Sequence, residues 1–297
     1  MKLARFTYHG STSIGVVIND RVIPLERMLC GAPNTIRGFL AAGPTLFKYI
    51  AEALPMATGD IALADVHLEA PVPDAQKYLA IGMNYQDHAE EAARAGIAIP
   101  KEQLWFNKQV SCIRGPYDTI YKPKVSDKMD YEAELGVVIG KRCRYVSEAD
   151  ARSVVGGYFV ANDVSARDWQ SASPTFTLGK SFDTHGPIGP WIVTDDEIVD
   201  PHALEMRLFV NGELRQKQIT GNMIHNIWQQ IHHLSQVMTL LPGDLIATGT
   251  CAGVGMAQGK FLQSGDLVRV EIDQLGHIEN LVIEEPVGDY AVAVSRR

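Results

Sequence analysis

The chain has 297 residues, enough for one large domain or for a small domain joined to a larger one. Its 46% hydrophobic and 21% charged residues are ordinary for a folded, soluble protein. The net charge is −8, from 35 acidic and 27 basic residues with no basic block, which argues against nucleic acid or an anionic membrane as a partner.

The cysteines and the N-terminal segment indicate the cellular compartment. Cys30, Cys112, Cys143 and Cys251 are far apart and form no C-x-x-C pair, which argues against a thiolate zinc site and a disulfide scaffold. The segment MKLARFTYHG has no apolar signal-peptide core, and no window approaches 18 apolar residues. We therefore expect a cytoplasmic protein without a membrane span.

The N-terminal part predicts a small domain. The first 28 residues are expected to form short strands, with a hairpin of 15–18 and 21–25 that turns at Asn19-Asp20. Residues 34–54 have a helical pattern that is broken at Gly43-Pro44. The proline-containing connector 69–73 suggests a boundary between a domain of residues 1–70 and a domain of residues 71–297.

The remaining chain is rich in predicted strands. A short buried strand at 78–82 precedes a helix at 84–96, for which Asn84 is the expected N-cap and Gly96 the expected stop. A second helix is predicted at 222–240 from its apolar spacing, and Asn211-Gly212 predicts a hairpin turn. Further strands are predicted at 135–139, 157–161, 189–193, 204–210, 244–248 and 267–272. This pattern favours a mixed α+β fold, mostly β, over a doubly wound α/β fold.

An acidic segment leads into one of these strands. Side-chain alternation places Asp130, Glu132 and Glu134 on the same side of an extended chain. Crowded carboxylates beside an apolar strand are unfavourable, because like charges repel and burial disfavours ionisation. A hard cation such as Mg²⁺, Mn²⁺ or Ca²⁺ would remove both penalties. The alternative is an acidic stripe on a solvated edge strand.

A further carboxylate, Asp163, follows the strand predicted at 157–161. Alone, Asn162-Asp163 is typical of a turn, although strand ends often carry functional residues. If Asp163 converges with Glu132 and Glu134, the three form a metal site. Such a site would leave about three of the six positions around Mg²⁺ for water or a chelating substrate.

A histidine and a glutamate share one face of the helix predicted at 84–96. His88 and Glu91 are separated by three residues, and a carboxylate beside an imidazole is a common general-base pair. The spacing does not match the H-E-x-x-H pattern of a zinc protease. The alternative is a solvated helix on which the two residues pair incidentally.

Two glycine-containing segments offer possible substrate contacts. Gly179-Lys180-Ser181 is not a phosphate-binding loop, because Pro174 occupies the position of the required first glycine. Lys180 could instead face a substrate carboxylate or an oxyanion, or could be a surface lysine. In residues 243–255, a threonine hydroxyl and loop amides could bind a carboxylate, although most such loops are ordinary turns.

Taken together, these segments resemble the fumarylacetoacetate hydrolase family over about residues 70–285. The match rests on five motifs whose order and spacing agree with the family pattern. They are N-Y-x-x-H-x-x-E at 84–91, D-Y-E-x-E-L-x-V-V-I-G at 130–140, G-Y-x-x-x-N-D-x-S-A-R-D-x-Q at 157–170, G-K-S-F-D at 179–183 and P-G-D-x-I-x-T-G-T at 242–250.

The resemblance implies roles for individual residues. It implies that Mg²⁺, or else Mn²⁺ or Ca²⁺, is held by Glu132, Glu134 and Asp163. It implies catalytic roles for His88 and Glu91, carried on a lid, and for Lys180. It implies substrate binding by Gln170, Arg167, Thr250 and Lys108, with Asp130 left as a structural acid.

The resemblance also implies a fold and a reaction. The expected fold is a β-rich roll of the fumarylacetoacetate hydrolase type with a smaller N-terminal domain, commonly a homodimer. The leading hypothesis is a metal-dependent hydrolase that cleaves a C–C bond in a β-diketo or 2-oxo acid, such as an acylpyruvate or a fumarylacetoacetate-like acid. In this reaction the metal stabilises an enolate and the His–Glu pair activates water.

Two other functions remain open at the level of sequence. One is an isomerase or decarboxylase of a 2-hydroxy-dienoate or 2-oxo diacid in aromatic catabolism, with the same metal site. The other is a non-catalytic acid-binding protein. The family's Gly-Thr-Pro is Gly249-Thr250-Cys251 here, and we interpret Cys251 as a packing thiol because no neighbour in sequence would activate it.

Overall fold

A computed structural model describes residues 1–58, 60–94, 96 and 98–287. Residue 95 of the predicted first helix of the larger domain lies outside the described residues. The same is true of residues 288–297 at the end of the predicted domain 71–297.

Strands dominate the described chain, as the sequence predicts. The strands are β1 (Lys2–Tyr8), β2 (Ser11–Ile18), β3 (Arg21–Pro24), β4 (Ile61–Ala62), β5 (His67–Glu69), β6 (Tyr78–Gly82), β7 (Leu104–Lys108), β8 (Ile113–Arg114), β9 (Ile120–Lys122), β10 (Met129–Asp130), β11 (Ala133–Ile139), β12 (Val155–Asn162), β13 (Ser165–Ala166), β14 (Gly186–Thr194), β15 (Glu205–Val210), β16 (Glu213–Ile219), β17 (Leu245–Ala247), β18 (Leu267–Ile272) and β19 (Gly276–Glu284). The α-helices are α1 (Ile36–Ala42), α2 (Pro44–Ala53), α3 (Gln86–Arg94), α4 (Arg167–Ser171), α5 (Ile227–Val237) and α6 (Gly255–Gln258). Short 3₁₀ turns lie at Leu25–Arg27, Leu54–Met56, Leu63–Asp65, Val110–Cys112, Ala151–Val154, Asp195–Glu197 and Thr220–Asn222.

The largest sheet runs through both predicted domains. Its main path has the order β4-β3-β2-β1-β14-β12-β11-β17-β6-β7. The N-terminal strands join the rest where β1 pairs antiparallel with β14, Lys2 opposite Val193. Near the middle, β11 lies between β12 and β17, and all seven of its residues are buried. The acidic segment therefore enters the centre of the sheet.

A second sheet packs against the first. It has five strands in the order β16-β15-β18-β19-β9. Val137 of β11 and Val160 of β12 pack in one apolar core with Leu208 of β15 and Val270 of β18. Since strand side chains alternate, the next residue, Val138, enters a different core on the other face of the large sheet, with Phe39 of α1. The central strands are thus covered on both faces, which explains their continuous apolar sequence.

Most sequence predictions for the elements are confirmed. The structure has the mixed, mostly β fold, the hairpin of β2 and β3, and the predicted break between α1 and α2, where Gly43 has φ 78°. All six further strands are present, with ends shifted by a few residues.

Three predicted helix ends are wrong. The helix predicted at 222–240 begins only at Ile227, because Asn226 and Gln229 form a reciprocal capping box, and it ends before Met238, whose backbone is extended. Asn84 does not cap α3, which begins at Gln86. Its side chain instead donates to the backbone oxygen of Thr248 at 2.8 Å and accepts from the backbone N–H of His225 at 2.8 Å.

No helix in the described part of the chain is both long and apolar enough to cross a membrane.

Candidate metal centre and active site

Three buried carboxylates meet where β11 begins and β12 ends. The strands are antiparallel, with Glu134 opposite Ala161, and Asp163 follows β12 directly. The Asp163 backbone N–H donates to the Glu132 backbone oxygen at 2.9 Å, which holds the two chain segments together. One carboxylate oxygen each from Glu132, Glu134 and Asp163 lie within 4.8 Å of one another. The pairing of two sequence-distant strands creates this cluster.

Three buried cations surround the carboxylates. Lys180 contacts Glu132 and lies 2.8 Å from Asp163, and the Lys108 ammonium lies 2.5 Å from the other Asp163 oxygen. Arg167 pairs with Glu132 and with Asp130, each at 2.8 Å. Four carboxylates thus face three cations, and the cluster carries one negative charge in excess if all are ionised.

Glu134 is the carboxyl whose negative charge the surrounding cations balance least. Burial raises the pKa of the Glu134 carboxyl well above its usual value, and the neighbouring charges of Asp163 and Glu132 add to the increase. Burial also opposes ionisation of Glu132, but Arg167 and Lys180 outweigh it and lower the pKa of Glu132 to about 2. Burial lowers the pKa of Lys180, yet Asp163 and Glu132 raise it more, so the lysine stays protonated.

The donor set fits a hard divalent cation. All three groups offer carboxylate oxygens, the ligand type that Mg²⁺, Mn²⁺ and Ca²⁺ prefer. Among the described residues, the hydrogen bond that Glu134 receives comes from the backbone N–H of Gly249, at 2.8 Å. One neutral donor does not balance a buried charge beside two other carboxylates, whereas a divalent cation would.

Asp130 joins this charge cluster only through Arg167 and does not belong to the group of Glu132, Glu134 and Asp163, contrary to the expectation that it shares a side with Glu132 and Glu134. It ends β10, a separate strand, so the alternation of β11 does not extend to it. Its carboxylate accepts from the backbone N–H groups of Gly255 at 2.7 Å and Met256 at 2.9 Å, and from Arg167. Asp130 therefore anchors the start of α6.

A cavity of about 350 Å³ opens beside the carboxylates. Its polar lining residues are His88, Glu132, Glu134, Arg167, Gln170, Ser171, Lys180 and Thr250. The remaining lining side chains are apolar: Ile81, Met83, Ala92, Leu104, Phe106, Phe176 and Met256. The Lys180 ammonium lies 4.9 Å from the centre of the Phe106 ring, so apolar and charged lining residues are direct neighbours.

The predicted His–Glu pair is present on α3. Nδ1 of His88 lies 3.2 Å from the Glu91 carboxylate, and His88 lines the cavity. Glu91 also accepts a hydrogen bond from the backbone N–H of Gly253 at 3.1 Å. One residue before His88, the Asp87 carboxylate accepts from the Gln218 side chain at 2.8 Å. The helix is thus held against the loop at 250–253, with the imidazole turned inward.

Gln170 and Arg167 lie one turn apart on α4, and both line the cavity. Arg167 donates to Oε1 of Gln170 at 2.9 Å, which leaves the Gln170 amide nitrogen as the group that can donate to a ligand. The segment that carries Lys180 packs tightly against this helix. A Cβ at Gly179 would lie 2.1 Å from the Gln170 backbone nitrogen, so only glycine permits this approach.

Lys108 is placed differently from the substrate contact that was expected. Its ammonium is bound to Asp163 and to the backbone oxygen of Val164 at 3.2 Å, and it is not among the residues that line the cavity. In this position the Lys108 ammonium balances the charge of Asp163. The position does not support a contact with substrate.

Thr250 lines the cavity on the loop that follows β17. Gly249 before it has φ 99°, and its N–H is the one that reaches Glu134. The next residue, Cys251, is fully buried, and burial together with Asp87 raises the pKa of its thiol to about 12. A thiol held in its neutral form agrees with the interpretation of Cys251 as a packing residue.

Sequence reasoning missed one polar residue of this region, Gln216. It is buried on β16 and hydrogen bonds to Thr250, to Cys251 and to Ala133. A glutamine between charged neighbours in an edge strand gives no signal of burial in the sequence alone.

Two family models cover nearly the whole chain. The model described as Fumarylacetoacetate (FAA) hydrolase C-terminal matches residues 77–283, and one described as Rv2993c-like, N-terminal, matches residues 1–71. The chain is 42% identical over 266 residues to oxaloacetate tautomerase FAHD2B, mitochondrial, of Bos taurus, covering 88% of this chain and 84% of that protein.

Solved structures of other proteins are similar to this chain over almost their full length. The maleylpyruvate hydrolase of Sphingobium sp. SYK-6, in complex with manganese(II) and pyruvate, matches with a TM-score of 0.82 and 35% identity, covering 96% of this chain and 100% of that one. The 2-hydroxyhepta-2,4-diene-1,7-dioate isomerase of Mycobacterium marinum matches with a TM-score of 0.76 and 34% identity, covering 96% and 99%.

Proposed function

Because the chain belongs to the fumarylacetoacetate hydrolase family, whose enzymes include hydrolases, isomerases and tautomerases, we propose that it is a divalent-metal-dependent hydrolase of a β-diketo or 2-oxo acid. The bond cleaved is a C–C bond, as in an acylpyruvate or a fumarylacetoacetate-like acid. The observation that carries the proposal is that His88 and the carboxylates of Glu132 and Glu134 line one cavity.

Glu132, Glu134 and Asp163 would hold the metal. Bound there, a divalent cation would supply positive charge to the keto and carboxylate oxygens of the substrate. We propose Mg²⁺, with Mn²⁺ or Ca²⁺ as alternatives. The charge balance supports an acidic substrate, because a divalent cation changes the excess of the cluster from one negative to one positive charge.

The chain's own residues supply the remaining chemistry. His88, oriented by Glu91, would take a proton from the water that attacks the remote carbonyl. Lys180 stays protonated and would stabilise negative charge that develops on the substrate, together with the amide nitrogen of Gln170. The hydroxyl of Thr250 would contact the acid group. Arg167 orients Glu132 and Gln170, which supports an indirect contribution to substrate binding.

The apolar walls of the cavity favour a substrate with an uncharged tail. The cations at its lining, Lys180 and Arg167, are already paired with carboxylates of the cluster. A second substrate carboxylate placed beside Leu104, Phe106 or Phe176 would find no unpaired cation among the described residues of the lining, which is unfavourable. We therefore favour acylpyruvates over diacids.

A tautomerase, isomerase or decarboxylase is the second candidate. The 42% identity to a protein named oxaloacetate tautomerase favours it. The same imidazole could move a proton between carbon and oxygen of a 2-oxo diacid, without attack by water, in a reaction such as those of aromatic catabolism.

Product analysis in ¹⁸O-labelled water separates the two candidates. The purified protein with Mg²⁺ is given acetylpyruvate, a longer alkyl acylpyruvate and oxaloacetate. Hydrolysis predicts labelled carboxylic acid and pyruvate from the acylpyruvates. Faster ketonisation of enol-oxaloacetate, with no labelled cleavage product from any substrate, would replace the hydrolase by the second candidate.

We further propose that the protein is cytoplasmic and forms a homodimer. The four cysteines are free thiols, one of them exposed at Cys30, which supports a reducing compartment. Light scattering coupled to gel filtration tests the dimer.

A further inference from the structure

Gln216 occupies an unusual place for an amide. It is the one buried residue of β16, an edge strand whose other side chains are exposed or partly exposed. The pairing of β16 with β15 shifts just before it, since Leu208 lies opposite Gln216 but Phe209 lies opposite Leu214. Such a bulge re-aims the side chain that follows it. Here it turns the amide of Gln216 inward.

The backbone around Gln216 determines which way its amide faces. Oε1 accepts from the backbone N–H of Ala133 at 2.9 Å, and Nε2 donates to the backbone oxygen of Cys251 at 2.8 Å. An N–H can only donate and a carbonyl oxygen can only accept, so the two ends of the amide cannot be exchanged. The donor end is therefore the one that faces Thr250.

This orientation decides what the Thr250 hydroxyl can do. Nε2 of Gln216 donates to Oγ1 of Thr250 at 2.9 Å, so the hydroxyl is the acceptor in this contact. A hydroxyl has a single hydrogen, and in Thr250 that hydrogen is not used toward Gln216. Because Thr250 lines the cavity, its hydrogen can be donated to a ligand there.

The same amide also holds the metal-binding segment. Ala133, to which Oε1 is bonded, lies between Glu132 and Glu134. One side chain thus connects the segment that bears Glu132 and Glu134 with the loop that bears Thr250, and it holds the hydroxyl in place relative to that segment.

We propose that Gln216 is a positioning residue that makes Thr250 an obligate hydrogen-bond donor to the carboxylate of the substrate. The inference rests on the proposed function, because it requires an acid that binds beside the metal. It extends that function by naming the residue that makes the acid-binding hydroxyl a hydrogen-bond donor to the substrate.

The test measures oxalate binding to the Mg²⁺-loaded protein by titration calorimetry. Gln216→Met keeps the length of the side chain, and Thr250→Val removes the hydroxyl. Each is expected to weaken oxalate binding about tenfold, the value of one hydrogen bond to a charged group. The double variant should be no weaker than the single ones, because the two residues act as a unit. Mg²⁺ binding of Thr250→Val should stay within about twofold.

Gln216→Glu tests whether the side chain must donate a hydrogen bond to Thr250. Its carboxylate still accepts from the Ala133 N–H, but it would also take the Thr250 hydrogen, so oxalate binding should fall at least as far as in Gln216→Met. Lys217→Gln, on the exposed side of the same strand, should bind oxalate like the wild type. When the acid is a substrate that the enzyme converts, the Gln216 substitutions should raise KM more than they lower kcat.

The outcomes separate the two proposals. Wild-type oxalate affinity in Gln216→Met or Gln216→Glu, or losses that multiply in the double variant, would overturn the role of Gln216 alone. Absence of oxalate binding by the wild type in the presence of Mg²⁺ would overturn the acid site, and the role of Gln216 with it.

Discussion

The Glu91 carboxylate lies 3.2 Å from Nδ1 of His88 and also accepts the backbone N–H of Gly253. The contact with Nδ1 leaves Nε2 of the imidazole as the nitrogen that can take a proton in the cavity.

We expect His88→Ala to retain Mg²⁺ and to lose turnover by at least about 100-fold, because the side chain is the proposed base and not a metal ligand. Glu91→Gln should cost less, since an amide can still accept the Gly253 N–H. Calorimetry with Mg²⁺ and measurement of kcat test both. A His88→Ala variant with wild-type kcat would exclude the imidazole as the base.

Glu132→Gln and Glu134→Gln should both abolish tight Mg²⁺ binding but differ in their effect on stability. Glu132 balances the buried charges of Arg167 and Lys180, so losing its charge should destabilise the metal-free protein by about 3 kcal/mol. Glu134 is the carboxyl whose charge no cation of the cluster balances, so Glu134→Gln should be no less stable than the wild type.

Urea unfolding in the presence of EDTA gives both free energies. Equal destabilisation by the two substitutions would contradict the assignment of the excess charge to Glu134.

Mg²⁺ affinity should increase as the pH rises from 5 to 8. The pKa of Glu134 is raised in the metal-free protein, so the carboxyl tends to hold a proton that the cation must displace. Binding should therefore release protons. Titration calorimetry in buffers of different ionisation enthalpy counts the released protons. Mg²⁺ binding without proton release at any pH in this range would contradict the prediction.

His185 should make the metal-free protein sensitive to acid. Burial, with the charge of Lys108, lowers the pKa of His185 to about 3, against about 6.5 in the unfolded chain. Between these values the unfolded state binds more protons, so stability is lost as the pH falls below 6.5. From pH 7 to pH 5 this residue should cost about 2 kcal/mol.

His185→Gln keeps a donor for the backbone oxygen of Tyr121, which Nε2 contacts at 3.0 Å, and it removes the titration. Its stability should fall by about 2 kcal/mol less than that of the wild type over the same pH range. His9→Gln, at an exposed position, should behave like the wild type. Parallel losses in His185→Gln and the wild type would contradict the prediction.

The sequence predicted those parts of the site that depend on local spacing. The strand at β11, the pair on α3 and the approach of Asp163 follow from apolar alternation, helical periodicity and strand ends, together with the family motifs. Side-chain alternation alone misplaces Asp130, because periodicity cannot show where one strand stops and the next begins.

Features that depend on tertiary contacts were not accessible. The side chains of Lys108 and Gln216 bond to Asp163 and to the backbone of Ala133, which are 55 and 83 residues away in the sequence. Nothing local in the sequence distinguishes a lysine that neutralises a buried aspartate from one that meets a ligand. The same limit applies to the capping box at Asn226, which shortened α5 although the apolar spacing continued beyond both ends.

Glu91 uses one carboxylate for two contacts, with the imidazole it orients and with the loop against which α3 rests. Any displacement of the helix from Gly253 therefore moves the proposed general base at the same time. In the proposed reaction, a molecule with α3 displaced from this loop would lack an aligned base, and the base would be in place only while α3 rests against the loop.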